Sequence, residues 1–116
     1  MNESIHNAVS LSSHVLDLDA GRPASGLRIT LQDPAGTVLS EAVTNDDGRV
    51  TTWPGLDSLR AGVYEVCFET GSWYAAQGQT CFYPRVHVLA DLAGDQPHYH
   101  VPLLLNRFGY STYRGS

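Results

Sequence analysis

The chain contains no lysine. Its seven basic residues are all arginine, set singly between Arg22 and Arg114, against twelve acidic residues and a formal charge of −5. That distribution argues against nucleic acid as a partner, because phosphate binding needs a concentrated basic face. Also missing is any stretch near the ~20 consecutive apolar residues of a membrane helix, so no membrane partner is expected. The opening "MNESIHNAVSLSS" has neither a basic start nor an apolar run of signal length, and the expected compartment is the cytoplasm. Cysteine is scarce. Cys67 and Cys81 form no CxxC pair and sit among apolar and aromatic neighbours, which in a reducing compartment predicts two buried free thiols. With 116 residues and no repeat, low-complexity tract or dividing linker, one domain over residues 1–116 is expected, about 1–10 forming a mobile leader.

What the chain does have is a succession of short alternating apolar runs separated by Gly, Pro and Asp/Asn clusters, the pattern of an all-β sandwich or barrel. The runs predict strands at Leu11 to Leu18, Leu27 to Gln32, Val38 to Thr44, Arg49 to Trp53, Gly62 to Glu69, Arg85 to Ala90, His98 to Leu105 and Tyr110 to Arg114. "AGRPASG" and "QDPAGT" have turn composition, and "TNDDGR" predicts a hairpin tip ending at Arg49. One short helix is expected in "GSWYAAQGQ", capped by Ser72 and stopped by Gly78.

Period-two alternation sorts the special residues by face. In "HYHVPLLLN" it puts His98, His100, Pro102 and Leu104 on one face and Tyr99, Val101, Leu103 and Leu105 on the other, the core face. In "LSSHVLDLD" His14 shares its face with Leu16 and Leu18, opposite Val15. A mixed imidazole and leucine face behind a core face needs a cover, and a chain this short has little left to supply one, so an oligomer with histidines at its interface is expected. Pro102 lacks a ladder donor and favours an edge, bulge or strand end. The His98-x-His100 spacing also fits half a zinc site, with His14 as a third ligand. Taken singly, His6 and His87 read as structural residues, and Arg49 and Arg114 as ordinary surface arginines.

The segments "SSHVLDLDAGRPASGL", "TNDDGR", "CFYPRV", "HYHVPLLL" and the terminal "YSTYRGS" resemble, in order and spacing, the transthyretin-like family and specifically its 5-hydroxyisourate hydrolase branch. The likeness runs from about Leu11 to Ser116, and the terminal Tyr-Arg-Gly-Ser is its most specific element. In the hormone-carrier branch the positions matching His14, Arg49 and His100 hold Lys, Glu and Thr. The resemblance implies a transthyretin-like β-sandwich of two four-stranded sheets with one short helix. It also implies a homotetramer, a dimer of dimers, with the sites in a channel between subunits. One departure stands out: Asn106 and Arg107 follow the triple leucine where the family commonly has Ser-Pro or a similar pair, which adds charge near the last strand.

The activity so implied is hydrolytic ring opening of 5-hydroxyisourate, a small-molecule substrate, without cofactor or metal. His14, Arg49 and His100 are the expected catalytic residues. His14, Arg49, Tyr113 and Ser116 are expected to bind substrate, and Arg114 and Gly115 to position the tail, with His98 and Ser111 as further candidates. Two imidazoles that titrate near neutrality can activate water and return a proton, and a permanent cation can hold oxyanion charge. The competing expectations are a transthyretin-like carrier of a small ligand and a zinc-dependent hydrolase using the histidine cluster.

Overall fold

The computed structural model describes residues 5–116. Its elements follow in the order β1 (Ala8–Asp17), β2 (Arg22–Pro23), β3 (Arg28–Gln32), β4 (Val38–Val43), β5 (Arg49–Val50), β6 (Leu59–Arg60), β7 (Gly62–Phe68), α1 (Thr70–Ala75), β8 (Val86–Leu92), β9 (His98–Asn106) and β10 (Gly109–Thr112). One layer is the four-stranded sheet β4-β3-β7-β8, antiparallel throughout. The other runs β10-β9-β1, and the free edge of β1 is taken in turn by the two-residue strands β6, β5 and β2. The second layer is thus also four ribbons wide, and the molecule is the sandwich of two four-stranded sheets with one short helix that the resemblance implies.

The core between the layers is made of the residues that face inward at every second position. Leu11, Val15, Tyr99, Val101, Leu103 and Leu105 of one sheet meet Ile29, Leu31, Val66, Phe68 and Val86 of the other. Burying each such side chain is worth about 1.5–3 kcal/mol. Tyr74 is the largest fully buried side chain, and it donates its hydroxyl to Asp17 Oδ1 at 2.9 Å. That bond and burial raise the Tyr74 pKa far above the ordinary phenol value, burial being the larger cause.

Several local expectations are revised. β1 begins at Ala8, not Leu11, and His6 N–H already donates to the Gly94 carbonyl at 2.8 Å, so the expected leader is part of the fold from there on. Residues 1–4 of that leader lie outside the described residues. α1 starts two residues before Ser72, at Thr70, whose hydroxyl docks on the Tyr83 carbonyl at 2.6 Å while Gly71 N–H reaches the Pro84 carbonyl at 2.9 Å. Ser72 therefore lies inside the helix and donates to the Glu69 carbonyl instead of capping. Both cysteines are free, but Cys81 is only half buried, whereas burial and Glu69 push the Cys67 thiol up to about 11. His87, read as a structural residue, has its Nδ1 3.0 Å from Glu65 Oε1 and its Nε2 3.7 Å from Cys67 Sγ.

The segment "TNDDGR" is not a hairpin tip. It leaves β4 in one layer and delivers β5 to the other, against β1. The turn closes on itself: Asn45 Oδ1 accepts from Asp47 N–H and Arg49 N–H, both at 2.9 Å, and Gly48 N–H donates to the Asn45 carbonyl at 2.8 Å. Gly48 has φ +74°, and a Cβ there would come 2.4 Å from the Val15 carbonyl oxygen. Only glycine meets both conditions, the left-handed backbone and the close approach to β1.

Candidate active site

The Asn45–Gly48 turn sets Arg49 directly opposite His14 in the β1/β5 pairing. Opposed residues of neighbouring strands share a face at Cβ separations of about 4.5–5.5 Å. On the other side of β1, the parallel pairing with β9 sets Ser10 beside His98, Ser12 beside His100 and His14 beside Pro102. His14, Arg49, His98 and His100 therefore occupy one face, outside the core. Leu16 and Leu104 continue that face half-buried, and Leu18 extends it at 54% exposure.

Arg49 also acts at a distance. Burial lowers the pKa of both His14 and His100 below 6.5, and the Arg49 cation adds to the lowering in each. His100 is further depressed by His14 and His98, with the Ser12 backbone opposing; at His14 the Asp47 carbonyl and carboxylate oppose. Both rings are consequently neutral at neutral pH, the state in which an imidazole accepts a proton. Any rate that depends on them is expected to rise with pH along an acid limb centred below 6.5 and to level off above it. A kcat/KM profile over that range checks this. Stability follows the same sign. The folded rings bind protons less readily than the unfolded ones, so their contribution is complete above about pH 6.5 and falls away as pH drops through the folded values.

The tail returns along β9. Ser111 pairs with Leu104, Thr112 with Leu103, and after a gap Gly115 with His100, in continuous antiparallel register. The gap falls opposite Pro102, which sits in the middle of β9 and not at an edge or strand end. His100 presents its carbonyl to the tail, accepting from Gly115 N–H at 2.9 Å, and Pro102, two residues on, presents its own backbone on the same side but has no N–H to give. The Thr112 hydroxyl uses the Pro102 carbonyl instead, at 2.7 Å. Gly115 then lies against the His100 ring so closely that a Cβ there would stand 2.6 Å from Cδ2.

Register places Ser111, Tyr113 and Gly115 on the face of His100, and Arg114 on the other. Arg114 Nη2 lies 3.1 and 3.2 Å from the two Asp95 carboxylate oxygens, and the guanidinium stands 5.0 Å over the Tyr99 ring. Tyr99 in turn hydrogen-bonds Asp95. His100, Tyr113 and Arg114 line a cleft of about 250 Å³ against β8, whereas Arg49 borders a different one with Ala42 and Val50. Ser116 is exposed at the chain end. Arg107, the unusual charge, turns to Thr80, donating to its carbonyl at 2.7 Å and its hydroxyl at 3.0 Å, and its backbone N–H meets Asp19.

Three residues of this neighbourhood are missed by sequence reasoning: Ser12, Asp47 and Asp95. Ser12 had a signal, since it lies two residues before His14 and so on the same face. Asp95 had none, because its partner Arg114 is nineteen residues away across a strand pair.

A sandwich of two four-ribbon sheets with a His-Arg-His cluster on one outer face and the chain end folded onto it is a transthyretin-type protein. A model of the HIUase/Transthyretin family matches residues 11–115, and the chain belongs to that family. It is 39% identical over 114 residues to the protein of Schizosaccharomyces pombe described as a probable 5-hydroxyisourate hydrolase, covering 92% of this chain and 91% of that one. The structure is similar to that of Klebsiella pneumoniae 5-hydroxyisourate hydrolase, with a TM-score of 0.85, 37% identity, and 93% and 99% of the two chains covered. It is also similar to transthyretin from Sparus aurata, with a TM-score of 0.82 but 29% identity, over 91% and 96%.

Proposed function

We propose that this protein hydrolyses 5-hydroxyisourate to 2-oxo-4-hydroxy-4-carboxy-5-ureidoimidazoline, as a step in urate degradation, with His14, Arg49 and His100 as its catalytic residues. The observation that carries it is the convergence of two neutral imidazoles and one cation on a single face through the β5-β1-β9 register. Hydrolysis of a cyclic amide-like bond needs water made nucleophilic, oxyanion charge held, and the ring fixed for attack at one carbonyl. His14 and His100 position the water and remove its proton, and one of them returns a proton to the leaving nitrogen. Arg49 binds the electron-rich ring edge and stabilises the developing oxyanion through paired N–H donors. Tyr113 packs on or hydrogen-bonds the planar substrate, Ser116 offers a hydroxyl to it, and Arg114 and Gly115 hold the tail in place.

The working form in this proposal is a cytoplasmic homotetramer, a dimer of dimers, of a single-domain chain. Its support is the exposed apolar border of the site face at Leu18 and the division of the site residues between two separate clefts, which a second copy would join. The test is the ultraviolet decay of 5-hydroxyisourate, made freshly from urate with urate oxidase, with and without the protein. Decay proportional to protein and unchanged by exhaustive chelation is expected. Decay at the spontaneous rate would favour a small-ligand carrier, and loss of activity on chelation a zinc-dependent hydrolase using His14, His98 and His100.

A further inference from the structure

Hydroxyls and imidazoles alternate without a break between the outer end of the site face and His100. Ser10 Oγ is 2.6 Å from His98 Nδ1, Ser12 Oγ is 2.9 Å from His98 Nε2, and the same Ser12 Oγ is 2.8 Å from His100 Nδ1. A serine hydroxyl has one proton to give. Between two rings it donates to one and accepts from the other, so the whole chain can point in either of two directions. Pointed outward, His100 Nδ1–H donates to Ser12, Ser12 to His98 Nε2, His98 Nδ1–H to Ser10, and Ser10 to the Pro97 carbonyl at 3.4 Å. His100 Nε2 is then left as a free base. Pointed inward, Ser10 gives up the Pro97 carbonyl and donates to His98 Nδ1, His98 Nε2–H donates to Ser12, Ser12 donates to His100 Nδ1, and His100 Nε2 carries the proton.

We infer that Ser12 and His98 are positioning residues that select the tautomer of His100 and carry a proton between it and the protein surface during turnover. The inference deepens the hydrolase reading and rests on it. In the step, water gives a proton to His100 Nε2 as its oxygen bonds the substrate carbonyl carbon. The Nδ1 proton of His100 passes to Ser12 Oγ, the Ser12 proton passes to His98 Nε2, and the positive charge ends on the His98 ring. His100 is left neutral with its proton on Nε2, the nitrogen from which the leaving group is protonated. That donation runs the chain back: His98 Nε2 returns its proton through Ser12 to His100 Nδ1.

Burial and charge both favour this route. Ser12 is buried, His100 half-buried and His98 exposed, so the chain leads from the site to solvent. His100 faces the Arg49 cation on β5 and His14 on β1, has His98 on its own strand, and shares a cleft with Asp91, Tyr113 and the Asp95-paired Arg114. A positive charge moved to His98 lies two residues, about 6.6 Å, farther along β9 from Arg49.

The test compares wild type, Ser12→Ala, Ser12→Thr and His98→Gln by the pH profile of kcat, by solvent isotope effects on kcat, and by the nitrogen NMR shifts that report the His100 tautomer. Ser12→Ala and His98→Gln are expected to lower kcat about a hundredfold, the low end of what assisted proton transfer supplies. KM should stay within about twofold. The tautomer should shift in both, and Ser12→Thr, which keeps the hydroxyl, should restore rate and tautomer. Unchanged kcat, profile and tautomer in Ser12→Ala and His98→Gln would overturn the relay. Because His98 is exposed, His98→Gln decides the matter even where Ser12→Ala folds poorly. A wild-type chain with no turnover would overturn the hydrolase reading instead, and the tautomer shifts would still decide whether the relay exists.

Discussion

Replacing His100 with alanine is expected to lower kcat by about 10²- to 10⁴-fold, the range lost when general acid-base assistance is removed. His14→Ala is expected to fall in the same range. Neither should unfold the protein, because both rings are on the outer face of the β1/β9 pair and the core lies behind them, at Val15, Tyr99 and Val101. The two variants should nevertheless differ. His14 pairs with Arg49 and Pro102, whereas the His100 ring is the surface on which Gly115 rests. His100→Ala should therefore raise KM as well, by loosening Tyr113 and Ser116, and His14→Ala should act chiefly on kcat. Steady-state kinetics on both variants, with thermal unfolding as the control, makes the comparison. Wild-type kcat in both would remove histidine from the mechanism.

The second large effect is expected from a single methyl group. In Gly115→Ala the new Cβ would lie 2.6 Å from His100 Cδ2, 3.1 Å from Cγ and 3.2 Å from Cβ. The ring cannot retreat without breaking its 2.8 Å contact with Ser12, so the tail must lift or the imidazole must turn. Displacements of about 1 Å in a catalytic constellation cost about 10²-fold in rate, and a loss of that size in kcat/KM is expected. The backbone at Gly115 is outside the left-handed region, so an alanine there is not strained in itself. Only the contact is at issue. The melting temperature should consequently change little, and deletion of the last four residues should reproduce the kinetic loss. Full activity in Gly115→Ala would mean that the tail does not have to lie against His100 during turnover.

The faces of β1 and β9 were legible in the sequence because alternation alone assigns them: Tyr99, Val101, Leu103 and Leu105 are buried, and His98 and His100 lie opposite. Which strands stand side by side was not legible. β1 and β9 pair in parallel although more than eighty residues separate them, and nothing local in "LSSHV" or "HYHVP" encodes that register. Alternation puts Ser12 on the His14 face, but the two imidazoles it bonds belong to β9, across that pairing. The "TNDDGR" turn misled in a different way. Its Asn and Gly signals were real, since Asn45 and Gly48 do close a tight turn, but turn chemistry fixes the local reversal and not the sheet to which the chain returns. The His14, Arg49 and His100 assignment came from likeness to a family, and the register supplies the physical reason that these three lie together.

Pro102 has a consequence for how the site opens. Had the ladder continued through residues 112–115, releasing the chain end would mean unzipping one backbone bond after another, and the edge of the sheet would go with it. The missing donor leaves the end fastened at separate points: the Gly115 amide on His100 and the Arg114 clamp on Asp95. The chain end beside His100 can therefore be unlatched while β9 and β10 stay joined, so access to the face of His14, Arg49 and His100 is separated from the stability of the sheet that carries it.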